Sequence, residues 1–384
     1  MAVIRLTGSI SSLRFGGQPA TLPHVQWHDF NVNTVPPACK VEMGDGSVMA
    51  VSRWSTPKRT RTYPFARVYD TYSHNGKVVT VIPVIKDEGR GQRRCDTNND
   101  RINFITLSWM NLMNVYVVLA WYADADKEDD FRITNQTLDN EFVKNKMKEV
   151  STYKLDAHHW NNAHFRNEFV WVFRRAVQSY EDMAKRLGVQ MHSAKRHLRF
   201  LDKIVDPNNQ NCVDLLRFRD VTLRMSRMAA LRETETHQVL EELQHGTQKA
   251  LIELQNNLGG VYTLTADEVY MGIDGTVVIQ ESKNTTDSRL PSEADIKDGL
   301  FKLVLYSSID SLRINDEPVR FSTQLRLTGS VKGRLELPSE RKSVEAFCEQ
   351  NRLGYQYIER LHWLNAESNA LGIRIVVEGR DNGK

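Results

Sequence analysis

The stretch Thr265–Asn284, TADEVYMGIDGTVVIQESKN, gathers Asp267, Glu281 and Lys283 around two apolar runs, Val269–Met271 and Thr276–Ile279. Side chains alternate faces along a strand, so Glu281 and Lys283, two apart, project the same way. The Asp274–Gly275 pair is a hairpin signal that folds the first run back beside the second and brings Asp267 alongside Glu281. Two carboxylates with a backbone carbonyl make a hard oxygen cage suited to Mg²⁺. Without a cation between them they repel. A metal held there activates water and neutralises charge growing on a phosphodiester. Lys283 is placed to orient that water or to offset the extra phosphate charge. The chemistry implied is phosphodiester hydrolysis. Asp274, inside the turn, is a weaker ligand, and Glu268 is expected on the opposite face. The plainer alternative is a surface hairpin with solvated, charged ends.

Positioning such groups requires the two strands and something to cover them. After the hairpin come a polar loop, a helix in Ala294–Asp310, a strand in Val319–Gly329, a helix around Lys342–Gln350 and a strand in Gly372–Gly379. Residues Asp139 to Asn257 read as helical, with breaks at Gly188, Asp206–Asn211 and Gly246, and a stop at Gly259–Gly260. The first sixty residues suggest strands and loops. A second hairpin is expected where ARVYDTY (Ala66–Tyr72) meets KVVTVIPVI (Lys77–Ile85), with Pro83 marking an edge strand or a bulge. INFITLSWMNLM (Ile102–Met113) reads as a buried helix and VYVVLAWY (Val115–Tyr122) as a buried strand. The reading divides the chain into an α/β lobe over 1–138, a helical region over 139–230 and a hairpin-bearing core over 231–384. Asp70–Lys86 echoes Asp267–Lys283, both with Lys sixteen positions after Asp, although Val84 stands where the second has Glu281. Coincidence explains the echo more simply than a degenerate copy.

With 384 residues, 40% hydrophobic and 26% charged, the composition is that of a soluble globular protein. No apolar run is long enough to span a membrane, and the first residues lack a secretory pattern, so a cytoplasmic protein is expected. Cys39, Cys95, Cys212 and Cys348 are scattered and form no CxxC pair. A net charge of +3 leaves nucleic-acid binding to local clusters. No GxxxxGK[ST] is present, so no nucleotide cofactor is expected.

The hairpin resembles the PD-(D/E)XK nuclease superfamily. There an Asp near the start of one strand is followed, on the next, by Glu-X-Lys. Here Ala266–Asp267 stands for the family's Pro-Asp, with Ala replacing Pro, and Glu281–Lys283 for its second element. The segment Leu290–Asp310 is similar to the helix after the motif in type II restriction endonucleases, with Lys297 and Lys302 toward the substrate. The likeness covers about Val261–Gly329. It implies an α/β (α+β) fold, a mixed sheet flanked by helices. It also implies Mg²⁺ at Asp267 and Glu281, with Mn²⁺ able to substitute, and double-stranded DNA as substrate for a homodimer. A Glu from a preceding helix often joins such sites, and Glu242 and Glu253 are the candidates. Repair or recombination nucleases of the same superfamily are the alternative.

Ser179–Leu201 resembles a helix-turn-helix, with Ser179 as N-cap and Lys195, Arg196, His197 and Arg199 on its second helix. Two ordinary helices with a solvated basic face explain it more simply. A non-catalytic DNA-binding regulator would use this segment. Arg61 and Arg93, in the basic stretches Lys58–Arg67 and Arg90–Arg94, are further candidates for phosphate contacts. His158, His159 and His164 lack metal-ligand spacing and are expected on a loop or helix surface. Lys86–Glu88 is a weak candidate for a second acidic site.

Overall fold

The structure, a computed structural model, describes residues 4–15, 21–53, 65–72, 74, 76–91, 99–225, 227–228, 248–272 and 274–380. The fold is mixed α/β, with helices packed on mixed sheets. The chain packs as two compact units. One is Thr21–Met225, and the other joins Met1–Ala20 to Ser226–Lys384. The first strand, β1 (Ile4–Ile10), therefore belongs with the C-terminal part of the chain, and the boundary expected at 138 runs inside the first unit. Among the described residues no helix is long and apolar enough to cross a membrane.

In the unit Thr21–Met225 a five-stranded sheet comprises β2 (His24–Gln26), β3 (Ala38–Glu42), β4 (Val48–Arg53), β5 (Lys77–Pro83) and β8 (Val115–Ala120). Between β4 and β5 lies helix α1 (Phe65–Tyr72), where a strand was expected. Its β-branched and aromatic residues satisfy helical spacing as well as alternation, and packing decides between them. Asp70 thus sits on a helix, so the echo of the second hairpin is not a structural copy. Nor is β5 an edge strand: it pairs in parallel with both β4 and β8, and Pro83 only ends it.

Strand β8 is entirely buried, and its outer edge is closed by side chains rather than by another strand. After the antiparallel ribbon β9 (Tyr122–Asp129) and β10 (Arg132–Leu138) come α3 (Asn140–Thr152) and α4 (Ala157–Asn167). From α4, Asn161 Oδ1 accepts from Val117 N and its Nδ2 donates to Val115 O, while Trp160 Nε1 donates to Val117 O. His164 Nε2 accepts from Leu119 N at 3.0 Å. An open row of backbone groups is thereby satisfied without a further strand. His164, expected on a surface, is buried and structural.

Helix α5 (Phe169–Leu187) buries the stripe Phe169, Val172, Phe173, Ala176, Tyr180 and Met183 at helical spacing, and ends on left-handed Gly188. Ser179 lies inside this helix and its Oγ donates to Tyr122 O, so it caps nothing. The N-cap that the helix-turn-helix likeness placed at Ser179 is therefore absent. Helix α6 (Ala194–Leu201) follows, and then the short pair β11 (Val205–Asp206) and β12 (Asn209–Val213) and helix α7 (residues 215–225). Two further strands, β6 (Ile85–Asp87) and β7 (Asn99–Arg101), pair between β5 and helix α2 (Phe104–Leu112).

The second unit is built on one nine-stranded sheet. Its members are β1, β13 (Gln248–Asn256), β14 (Val261–Met271), β15 (Val277–Asn284), β16 (Ser311–Ile314), β17 (Glu317–Pro318), β18 (Phe321–Gly329), β19 (Arg334–Leu337) and β20 (Arg374–Gly379). Their order is β17-β16-β1-β13-β14-β15-β18-β20-β19. Residues 248–256 were expected to continue a helix. They form β13 instead, antiparallel to β14 and parallel to β1. Ala, Leu, Glu and Gln there favour a helix intrinsically, but Ala250, Ile252 and Leu254 are fully buried in the sheet, and that burial outweighs propensity. Strands β14 and β15 form the expected hairpin, and β15 runs parallel to β18. The crossover from β15 carries helix α8 (Glu293–Ser307), capped by Ser292, whose side chain accepts from Asp295 N. Helices α9 (Arg341–Gln350) and α10 (Tyr355–Leu371) lie between β19 and β20.

Candidate functional site

The hairpin register pairs Glu268 with Gln280, one step short of Asp267 and Glu281. On one face Gln280 Nε2 donates to Glu268 Oε2 at 2.7 Å and Ser282 Oγ to Glu268 Oε1, and Arg326 stands 3.8 Å from the same carboxylate. Alternation puts Asp267, Glu281 and Lys283 on the other face. Asp267 Oδ2 accepts from Ser282 N at 3.0 Å, which ties the first acid to the strand of the second. Asp274 accepts from Thr276 N and Oγ1 and serves the turn.

Helix α8 covers the acidic face. Lys283 Nζ lies 3.0 Å from Glu281 Oε1 and 2.9 Å from Asp298 Oδ2, and Lys302 Nζ lies 2.6 Å from Glu281 Oε1. Asp298 and Lys302 are one helical turn apart, so a single face of α8 supplies both. Gly299 makes room for the lysine: a Cβ there would meet Leu325 Cδ1 at 2.8 Å and Lys283 Cε at 3.2 Å. Sequence reading missed Asp298, although its i,i+4 spacing to Lys302 was the available signal. Lys302, expected to face DNA, instead pairs with the buried acid. Lys297 pairs with Glu293 at 2.7 Å and lies over the Trp363 ring.

Glu281 is fully buried. Burial pushes its carboxyl above the usual range and Asp267 adds to this, while Lys302 and Lys283 pull the other way. Burial by itself would lower Lys283, but Glu281 and Asp298 more than offset it and hold the ammonium protonated to higher pH. Lys302 is raised in the same way, by Glu281 and Asp267 against its burial. Lys283 is therefore a fixed cation rather than a proton acceptor. Three carboxyl and two ammonium groups thus meet in this cluster.

Glu281 Oε2 is buried with no hydrogen-bond partner among the described residues. An unsatisfied carboxylate oxygen beside a second acid is what a hard cation compensates. Asp267 and Glu281 are the side chains that would hold such a cation. Among the described residues no three His, Cys, Asp or Glu side chains converge to hold an ion by themselves. Glu253 does not join: it lies on β13 opposite Thr263, four residues along β14 from Asp267, or roughly 13 Å. It pairs with Arg227 at 2.8 Å. Glu242, Arg61 and Arg93 lie outside the described residues.

Lys195, Arg196 and Arg199 are exposed on α6, in the other unit, whereas His197 of the same helix is buried. The structure brings together Asp267, Glu281, Lys283 and Lys302 and adds Asp298. Compared with protein-family models, curated proteins and solved structures, the chain finds no match.

Proposed function

We propose that the chain is a Mg²⁺-dependent endonuclease that hydrolyses phosphodiester bonds of double-stranded DNA, in the manner of a type II restriction enzyme. The observation that carries this is the buried, half-satisfied Glu281 carboxylate beside Asp267, with Lys283 pinned between Glu281 and Asp298. Bound at the two acids, the metal would supply an activated water and neutralise charge on the reacting phosphate. Asp267 and Glu281 would hold the cation. Lys283, kept protonated by its two acidic neighbours, presents positive charge to the pentavalent phosphate without exchanging a proton. Asp298 and Lys302 are positioning residues that fix Lys283 and Glu281. The exposed Lys195, Arg196 and Arg199 would add sequence-independent phosphate contacts. Cutting both strands at a symmetric site suits a homodimer.

The test is plasmid and phage DNA cleavage with Mg²⁺ by the wild type, Glu281→Ala and Lys283→Ala. The expected result is cleavage by the wild type and a fall of at least about a hundredfold in both variants. No cleavage of varied DNA by the wild type, or undiminished cutting by the variants, would end the assignment. Discrete fragments from linear duplex indicate sequence recognition. Cutting confined to branches or ends indicates a repair or recombination nuclease with the same centre.

A further inference from the structure

The unit Thr21–Met225 holds a second cluster of ionisable groups, unrelated to the hairpin. Asp87, at the end of β6, is fully buried. Its Oδ1 accepts from His192 Nδ1 at 2.8 Å and from Gly89 N at 2.9 Å, and its Oδ2 accepts from His197 Nε2 at 3.2 Å. A carboxylate only accepts, so both ring nitrogens facing it carry protons. Asp87 N donates to Tyr180 Oη, and Gln136 Nε2 donates to Asp87 O. Burial alone would raise the Asp87 carboxyl. The two imidazole hydrogen bonds and the attraction of His192 outweigh burial and keep it well below the usual carboxylate range.

His192 and His197 also line a cavity of about 410 Å³ between the end of α5 and the start of α6. Arg90 and Lys185 stand on its wall, and Glu181 is the one acidic side chain among the residues lining it. Arg90 is placed deliberately: Gly89 turns at φ +107, and Arg90 Nε donates to Met191 O at 3.0 Å. Lys185 comes from the last turn of α5. His197 Nδ1 is buried with no partner among the described residues. Asp87 cannot serve a cation in the cavity, since it is buried and its oxygens already accept three hydrogen bonds.

We propose that this cavity binds a phosphate-class anion, a phosphomonoester or phosphodiester group, gripped by Arg90 and Lys185 over a floor formed by His192. The planar guanidinium matches phosphate oxygens in pairs, and Lys185 adds a point charge. Asp87 holds the imidazole ring in orientation, as a carboxylate does for a catalytic or ligating histidine. The volume exceeds one phosphate and leaves space for the organic group it is attached to. The site lies in the unit without the hairpin acids and stands whether or not the chain cuts DNA.

The experiment is titration calorimetry of the full chain, in chloride buffer without metal, with inorganic phosphate and with a short oligonucleotide bearing either a 5′-phosphate or a 5′-hydroxyl. Saturable phosphate binding is expected at one site per chain. It should weaken roughly tenfold in Lys185→Met and further in Arg90→Met/Lys185→Met. Glu181→Gln, which removes the opposing charge from an exposed position, should tighten it. That gain cannot arise from damage to the fold. Tighter binding of the 5′-phosphate oligonucleotide than of both its 5′-hydroxyl counterpart and inorganic phosphate, with the gain lost in Lys185→Met, assigns the anion to nucleic-acid ends. Equal binding assigns it to a free phosphate. No saturable binding up to about 10 mM, or indifference to Lys185 and Glu181 substitution, overturns the site.

Discussion

Lys302 Nζ lies 2.6 Å from Glu281 Oε1, so the helix covering the hairpin supplies a counter-charge to the acid at its centre. Lys302→Met leaves the buried carboxylate with one ammonium partner. It should destabilise the folded chain by about 3 kcal/mol, as losing one half of a buried pair does. Equilibrium urea unfolding at neutral pH measures this. A loss below experimental error would mean that water reaches Glu281.

Both lysines carry folded-state pKa values above the ordinary 10.5. The stability they contribute is complete below the unfolded value and is lost as pH rises through the raised folded ones. Wild-type stability should therefore fall above about pH 10.5, and part of that slope should vanish in Lys302→Met. Unfolding titrations between pH 8 and pH 12 decide it.

Gly299→Ala puts a methyl against Leu325 and the Lys283 stem. The expected cost is about 1–3 kcal/mol from overpacking. Cleavage should fall by roughly tenfold or more, because a displaced lysine no longer meets the phosphate. An equally stable and equally active variant would show that the space is not needed.

Asp298→Asn removes one of the two acids holding Lys283. DNA cleavage should slow by roughly tenfold, the scale typical of outer partners of a site. Glu268→Gln, on the opposite face of the hairpin, should cut at the wild-type rate. Equal losses in both would mean that the two faces are not separate.

At acid pH Glu168, in the unit Thr21–Met225, should report on stability. Burial would raise Glu168, but the His164 ring beside it and the Lys146 ammonium 2.8 Å away hold it below the usual carboxylate range. Such a carboxylate stabilises above its unfolded pKa of 4.5 and loses that contribution as pH falls toward the folded value. With one-third of its side chain exposed, its contribution is about 1–2 kcal/mol. Stability measured from pH 5 to pH 2 should decline less steeply in Glu168→Gln.

The hairpin was legible because strand alternation, a turn pair and three charged residues all fall within twenty positions, where local rules apply. Helix α8 was legible from its apolar spacing. Strand β13 was not: Leu251, Glu253 and Gln255 suit a helix, and pairing with β14 on one side and with the sequence-distant β1 on the other makes them extended. The cluster around Asp87 was equally hidden, because His192 and His197 stand more than a hundred positions away and meet it only once α6 is in place. Lys302 was found as a residue but given the wrong neighbour, since periodicity tells which face of a helix is covered and not what covers it. The closure of β8 by Asn161 and His164 follows the same rule.

Strand β1 sits between β13 and β16, with Ile4 level with Ala250 and Leu6 level with Ile314. During synthesis those residues must wait, unpaired, until β13, some 246 positions on, and then β16, 308 positions on, have left the ribosome, while the segment between them can already fold. A fragment starting at Ser226 would expose two raw strand edges in place of that stitch, and such edges recruit one another. Insolubility of that fragment, cured by adding back the Ile4–Ile10 peptide, would be the laboratory signature of a late-closing sheet.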